Sequence, residues 1–253
     1  MSLPSVSIIT VTYNAHKTIS DCIESVAKQS VDVEHIIIDG ASTDDTIKVI
    51  ESFRETLATV ISEPDDGIYH AMNKGLQLAT GDIVGILNAD DFFVTGDTLK
   101  RVLAEFTNPN IDACYGNLVY VTQEDRTKEV RFWRSGQFSL SSFYFGWMPP
   151  HPTFFVRRSI YEEYGLFNLD LGSAADYEIM LRFLMKYRVR ASYIPEVLVK
   201  MRVGGESNIS LLNRIKANRN DRKAWTVNDL RPFPWTIAMK PLRKVGQWVF
   251  RGR

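Results

Sequence analysis

Two adjacent carboxylates close the run Gly81-Asp82-Ile83-Val84-Gly85-Ile86-Leu87-Asn88-Ala89-Asp90-Asp91. Like charges that close repel and raise each other's pKa, so the pair calls for a compensating partner. A hard divalent cation is such a partner, because it takes oxygen ligands. Asn88 adds an amide oxygen beside the two acids, although the same three residues also suit a turn that caps the next helix. A second acid, Asp39, stands between an apolar run and Gly40. A carboxylate there accepts hydrogen bonds from a base imide or a ribose hydroxyl, or simply turns the chain. A third, Asp176, opens a helical stretch, where the helix dipole stabilises an anion and where Asp is also a common N-cap.

The elements that carry these acids follow from the hydrophobic pattern. Val6 to Thr12 is β-branched and apolar and reads as a first buried strand ending at Tyr13-Asn14. Ile19, Cys22, Ile23 and Val26 then recur at helical spacing. His35 to Ile38 is a second strand, followed by a helix through Ile47, Ile50 and Phe53 that Thr43 or Asp44 caps. Thr59 to Ser62 is a short third strand. Gly67 opens a helix with Ile68, Ala71, Met72, Gly75, Leu76 and Ala79 on one face. Ile83 to Leu87, a short continuous apolar run, reads as a fourth strand buried on both faces. Strands alternating with helices through residue 106 predict a parallel, doubly wound sheet, which binds ligands outside the carboxyl ends of its strands.

After residue 110 the rhythm changes. Ala113 to Val121 and Glu129 to Trp133 read as strands with no long helix between them, and Phe138 to Pro152 as an irregular aromatic loop. Pro152 to Val156 reads as another short strand, and Tyr177, Met180, Leu181 and Leu184 mark a helix beginning near Asp176. The predicted organisation is one domain over 1–205, with a nucleotide half (1–110) and an acceptor half (111–205), followed by a basic amphipathic tail over 206–253.

The composition of the 253 residues is that of a folded globular chain. Cys22 and Cys114 give neither a disulfide framework nor metal-ligand spacing. No run of about 18 apolar residues is present to span a membrane. The net charge of zero hides an asymmetry. From Arg214 onward eleven basic residues face only Asp221 and Asp229, so this segment carries +9 and residues 1–213 carry −9. Such a division suggests a tail that meets an anionic surface.

Five segments taken in order are similar to a known family. Val6-Ser7-Ile8-Ile9-Thr10-Val11-Thr12-Tyr13-Asn14 and Ile37-Ile38-Asp39-Gly40-Ala41-Ser42-Thr43-Asp44-Asp45-Thr46 resemble the start of a family 2 inverting glycosyltransferase with the GT-A fold. Glu63-Pro64-Asp65-Asp66-Gly67-Ile68-Tyr69-His70-Ala71-Met72-Asn73-Lys74-Gly75 resembles its next block, and Leu87-Asn88-Ala89-Asp90-Asp91 its metal-binding motif. Ala174-Ala175-Asp176-Tyr177-Glu178 with Arg182 resembles the block that carries its catalytic base. The resemblance spans residues 5 to about 205.

The resemblance implies an α/β GT-A fold: a central, mostly parallel sheet flanked by helices, with the helical basic tail beyond it. It implies that Thr12 and Tyr13 line the nucleotide pocket, that Asp39 holds the base, usually uracil, and that Asp65 and Asp66 lie near base and ribose. Asp90 would contact ribose or sugar, and Asp91 would coordinate Mn²⁺ or Mg²⁺ bridging the diphosphate. Asp176 would be the general base. Glu178 projects about 200° away from it on a helix. His151 stands where the family often has a histidine facing the diphosphate, and Arg202 with Gly204-Gly205 suggests a phosphate-facing loop. Two positions depart from the pattern: Asn88 replaces the first acid of the metal motif, and Ala175 stands where many relatives carry Glu.

The expected activity is therefore metal-dependent, inverting transfer of a sugar from a nucleotide sugar, UDP first, to a saccharide acceptor, lipid-linked, in cell-surface polysaccharide or O-antigen assembly. The transition state resembles an oxocarbenium ion, and one carboxylate must take the acceptor's proton. Without a Gln-x-x-Arg-Trp run or membrane spans, a non-processive enzyme is expected. In the tail, Trp235, Ala238, Met239, Leu242, Val245 and Val249 fall at helical spacing among Lys240, Arg243, Lys244 and Arg251, with Pro241 expected to kink that helix or start a second. A basic amphipathic helix reads as an interfacial element. The expected location is the cytoplasm, peripheral on the inner face of the plasma membrane. No nucleic-acid motif accompanies the charge. Two rivals are a sugar nucleotidyltransferase, for which Tyr13-Asn14-Ala15-His16-Lys17 is a poor phosphate loop, and a non-catalytic nucleotide-sugar-binding module.

Overall fold

The computed structural model describes residues 3–204 and 211–249. The alternating half follows the pattern read from the sequence: β1 (Val6–Thr12), α1 (Ile19–Ala27), β2 (Glu34–Asp39), α2 (Thr46–Glu51), β3 (Thr59–Ser62), α3 (Ile68–Leu78) and β4 (Ile83–Ile86). Every residue of β1 and of β4 is buried, as expected of strands covered by helices on both faces. The remainder runs β5 (Asp91–Phe93), α4 (Thr98–Glu105), β6 (Ala113–Val121), β7 (Glu129–Trp133), β8 (Phe155–Arg157), α5 (Arg158–Tyr164), α6 (Ala175–Met180), β9 (Ala191–Arg202), α7 (Leu211–Thr226) and α8 (Thr236–Val249).

Among the described residues nine strands form one sheet, in the order β3-β2-β1-β4-β8-β6-β9-β5, with β7 paired to β6. The first four are mutually parallel. The second half is mixed, with β8 antiparallel to both β4 and β6 and β5 antiparallel to β9. The expected parallel pairing thus covers the whole first half and the long β6–β9 pair of the second. After residue 110, β6 and β9 are again parallel neighbours, with α5 and α6 in the chain between them, while β7, joined to β6 by a short connection, and β8 pair with β6 antiparallel. Pro152 belongs to a 3-10 turn, His151–Thr153, rather than to the strand after it.

The chain leaves β1 towards β2 on one side and returns from β3 to β4 on the other. That reversal creates a switch-point crevice outside the carboxyl ends of β1 and β4. Thr12 ends β1 and Asn88, Asp90 and Asp91 follow β4, so both sides of the crevice carry candidate residues. The wall helix α3 lies directly on β1: a Cβ at Gly75 would stand 2.4 Å from Cγ2 of Ile9. This close approach places the first turn of α3, with Tyr69, beside the site.

The segment expected as a tail continues the core as far as it is described. Ala224 and Trp225 are fully buried, and the Trp225 indole donates to the Tyr177 hydroxyl at 2.9 Å. The Asn228 amide donates to Glu178 at 3.0 Å. Lys240 pairs with Asp221 at 2.7 Å and lies 3.6 Å from the centre of the Tyr177 ring. A Cβ on Gly146, held at φ +75°, would meet the backbone nitrogen of Lys240 at 2.5 Å, so α8 rests directly on the aromatic loop. α8 runs through Pro241 as a single helix. Gly205 and the side chains of Val245, Trp248 and Val249 lie outside what is described.

Candidate active site

Asp39 ends β2 in register with Thr12. Its carboxylate is fully buried, so it requires partners. The Ser42 backbone amide donates to it at 2.9 Å and the Ser62 hydroxyl at 2.7 Å, and the Ser42 hydroxyl donates to the other oxygen. Gly40 follows, its amide donating to the Thr12 carbonyl at 2.9 Å. A Cβ on Gly40 would lie 3.6 Å from the Tyr13 ring and 3.7 Å from Asp65 Oδ2, so those two side chains flank one narrow approach. Tyr13 is 63% exposed and offers a face to a planar ring. Asp65 is held by Lys74 at 2.8 Å. Asp66 is exposed, its backbone amide donating to His70 Nδ1 at 3.2 Å. The structure therefore gathers Thr12, Tyr13, Asp39 and Asp65 around the ends of β1 and β2.

The second cluster follows β4. Asp91 is fully buried and Asp90 half-buried. Burial first, and then the neighbouring Asp90 charge, hold the Asp91 carboxyl well above the usual range. Asp90 is also raised by burial, with Arg202 and His151 opposing. The Asn88 amide nitrogen stands 3.4 Å from Asp91 Oδ2 and 3.3 Å from His151 Nε2. His151 Nδ1 lies 3.7 Å from an oxygen of Asp176. A polar line therefore runs from Asp91 through Asn88 and His151 to Asp176.

Three oxygens at the crevice, Thr12 Oγ1, Asn88 Oδ1 and Asp91 Oδ1, are buried without a hydrogen-bond partner. Buried oxygens left so are costly unless something else satisfies them. They are hard donors, and Asp91 adds a charge whose raised pKa a cation would relieve, so the set fits Mg²⁺ or Mn²⁺. Among the described residues no three His, Cys, Asp or Glu side chains gather as a metal-holding group. An ion there would take its remaining ligands from a diphosphate, the usual arrangement for Mg²⁺.

Asp176 stands in the first turn of α6 with its carboxylate accepting from the Tyr177 amide at 2.7 Å. The Tyr69 hydroxyl from α3 interacts with both its backbone amide and its carboxylate; burial and that charge push the Tyr69 phenol well up. Glu178 is buried and bound to Arg182 and Asn228 at 3.0 Å each, which leaves Asp176 as the acid facing the crevice. Arg182 also donates to the carbonyls of Tyr164 and Leu166, and so braces the loop before α6. Arg202, also buried, donates to the Asp90 carbonyl at 2.8 Å and to Asp21, so in this structure it supports the acidic loop from behind.

The sequence reading missed Tyr69, Ser42, Ser62 and Asp21 as members of the site. Tyr69 lies in a block quoted for its acids, and only the packing of α3 on β1 brings it to Asp176. Ser42 and Ser62 were legible in principle, since a buried Asp39 needs donors, but their meeting depends on the pairing of β2 with β3.

A switch-point crevice with buried acids and unpartnered oxygens defines a nucleotide-binding α/β enzyme. The chain belongs to glycosyl transferase family 2, whose model matches residues 7–165. It is 31% identical over 214 residues to a PGL/p-HBAD biosynthesis glycosyltransferase of Mycobacterium bovis, covering 82% of this chain and 81% of the relative. Chondroitin synthase of Escherichia coli is 30% identical over 187 residues, 71% of this chain and 26% of the relative. Among solved structures, S. aureus TarS 1-349 in complex with UDP superposes with TM-score 0.66 at 21% identity, covering 90% of this chain and 67% of that one. The mannosyltransferase PcManGT from Pyrobaculum calidifontis, in complex with GDP-Man and Mn2+, gives 0.64 at 19% identity, over 100% and 77%. The fold is thus GT-A, as the sequence led us to expect.

Proposed function

We propose that the protein transfers a sugar, with inversion and one residue per encounter, from a UDP sugar to a hydroxyl of a lipid-linked saccharide acceptor. The observation that carries this is the line from Asp91 to Asp176, which sets a diphosphate-side carboxylate and a base on one crevice. Tyr13 and Asp65 flank the base, and Asp39, already held by Ser42 and Ser62, presents its remaining lone pair to it. Asp66 and Asp90 serve the ribose and the sugar. Asp91 and Asn88 would hold Mn²⁺ or Mg²⁺, which supplies charge neutralisation for the departing diphosphate. His151 lies beside that diphosphate, and Arg202 reaches it only if its pairing with Asp21 opens. Asp176 takes the proton as the acceptor oxygen bonds to the anomeric carbon and the bond to the diphosphate oxygen breaks.

The acceptor is placed at a membrane by the basic C-terminal segment, on the cytoplasmic face of the plasma membrane in cell-surface polysaccharide synthesis. Among the described residues no helix is long and apolar enough to cross a membrane. Trp235, just before α8, and Leu242 on it are 48% and 61% exposed, which suits an interfacial contact. Calorimetry with UDP and Mn²⁺, on the protein and on Asp39→Ala, tests the donor assignment. Binding should be lost in the variant and strengthened by the metal; UDP affinity indifferent to both overturns the reading.

A further inference from the structure

Between α7 and α8 lies an open groove of about 450 Å³, lined by Asn218, Arg219, Arg222, Pro234, Ile237 and Ala238. Arg219 and Arg222, on one face of α7, are exposed and make no ion pair among the described residues. The acid between them, Asp221, is buried and pairs with Lys240 at 2.7 Å. The facing wall is apolar and includes the buried Ile237. Phe233, Trp235 and Leu242 stand exposed on the same segment, with Arg231 and Arg243 exposed beside them.

Two guanidinium forks three residues apart, unpaired among the described residues and facing an apolar wall, match an anion joined to a hydrocarbon. Guanidinium binds phosphate oxygens through paired, charge-assisted hydrogen bonds. Large exposed apolar side chains around such a pocket mark a surface that meets another apolar phase. We propose that this groove binds the phosphate of an anionic membrane lipid. Arg219 and Arg222 grip the phosphate oxygens, Asn218 adds a donor, and Pro234, Ile237 and Ala238 take the adjoining carbons. This rests on the membrane reading of the C-terminal segment and turns a diffuse attraction into a defined site. Through the Trp225–Tyr177 bond, α7 is fixed to the helix that carries Asp176, so a lipid seated there orients the crevice relative to the bilayer.

The test uses the full chain and vesicles of phosphatidylcholine, alone or with a fifth of the lipid replaced by phosphatidic acid, at physiological salt. Arg219→Gln/Arg222→Gln is compared with Arg231→Gln/Arg243→Gln, which removes the same charge outside the groove. The groove pair should lose about tenfold more affinity than the outer pair, because charge-assisted hydrogen bonds are lost in addition to charge. Retained UDP binding shows that each variant is folded. Equal losses in the two pairs overturn the groove and leave the membrane reading standing. A wild-type protein that binds charged vesicles no better than neutral ones overturns both.

Discussion

His151 Nδ1 lies 3.7 Å from a carboxylate oxygen of Asp176, while its Nε2 lies 3.3 Å from the amide nitrogen of Asn88. An amide nitrogen only donates, so that contact requires Nε2 as acceptor and turns the remaining N–H towards Asp176. Burial lowers the imidazole's pKa against the pull of Asp176 and Asp90, which favours this neutral form. Asn88 thereby favours the Nδ1–H tautomer, whereas an aspartate at the same position would accept from Nε2–H and favour the other.

Asp176→Asn should abolish transfer and leave donor binding nearly intact, because size and hydrogen bonding are kept and only the base is removed. General-base catalysis contributes roughly 10²–10⁴-fold. Turnover above about a tenth of wild type, with UDP affinity unchanged by calorimetry, would contradict the assignment.

Tyr69→Phe separates the hydroxyl from the ring. The ring packs 5.4 Å from Phe167 and should continue to do so, whereas the hydroxyl's interaction with Asp176 is lost. If the hydroxyl orients the Asp176 carboxylate, kcat should fall on the order of tenfold with little change in KM for the donor. An unchanged kcat would remove Tyr69 from the machinery.

Asp91→Asn should eliminate the Mn²⁺ response in thermal unfolding while raising the melting temperature of the metal-free protein. The raised Asp91 pKa means that its ionised form opposes folding. Its favourable contribution is complete below the unfolded carboxylate pKa and is lost as pH rises through the folded value. Mn²⁺ competes with that proton, so stabilisation by Mn²⁺ should be larger at pH 7.5 than at pH 5. A metal shift equal in variant and wild type, or flat with pH, would place the ion elsewhere.

Trp225→Ala should cost about 3–5 kcal/mol, the range for truncating a fully buried large aromatic. Trp235→Ser/Leu242→Ser should leave unfolding nearly unchanged, since both side chains are exposed, and should weaken vesicle binding. Equal thermal destabilisation by the two changes would mean that the exposed face of α8 packs on the domain.

The first half of the fold was legible because its signals are local. A strand buried on both faces announces itself by apolar runs such as Ile83 to Leu87, and the acids follow at the strand ends. β5 and β9 escaped notice for opposite reasons. β5 hides inside the acidic motif, where Asp91 reads as chemistry rather than as strand. The twelve residues of β9 include Pro195, Glu196 and Lys200, which break the apolar alternation. The role of α7 was hidden by its charge: Arg219, Arg222 and Lys223, counted with a tail, are exposed on a helix that also buries Ala224 and Trp225. Contacts such as Tyr69 with Asp176, or Asn88 with His151, join distant segments and have no sequence period at all.

The Trp225–Tyr177 bond also bears on the order in which the enzyme is made. Chains emerge from the ribosome N-terminus first, and contiguous segments fold as they appear. β1 to β4 come from one unbroken stretch, yet their core is completed by later residues, among them Tyr115, Tyr177 and Trp225. The helix bearing Asp176 waits for α7 to be synthesised before it is seated. A chain that stops short of α7 therefore lacks the seat of the helix that carries Asp176.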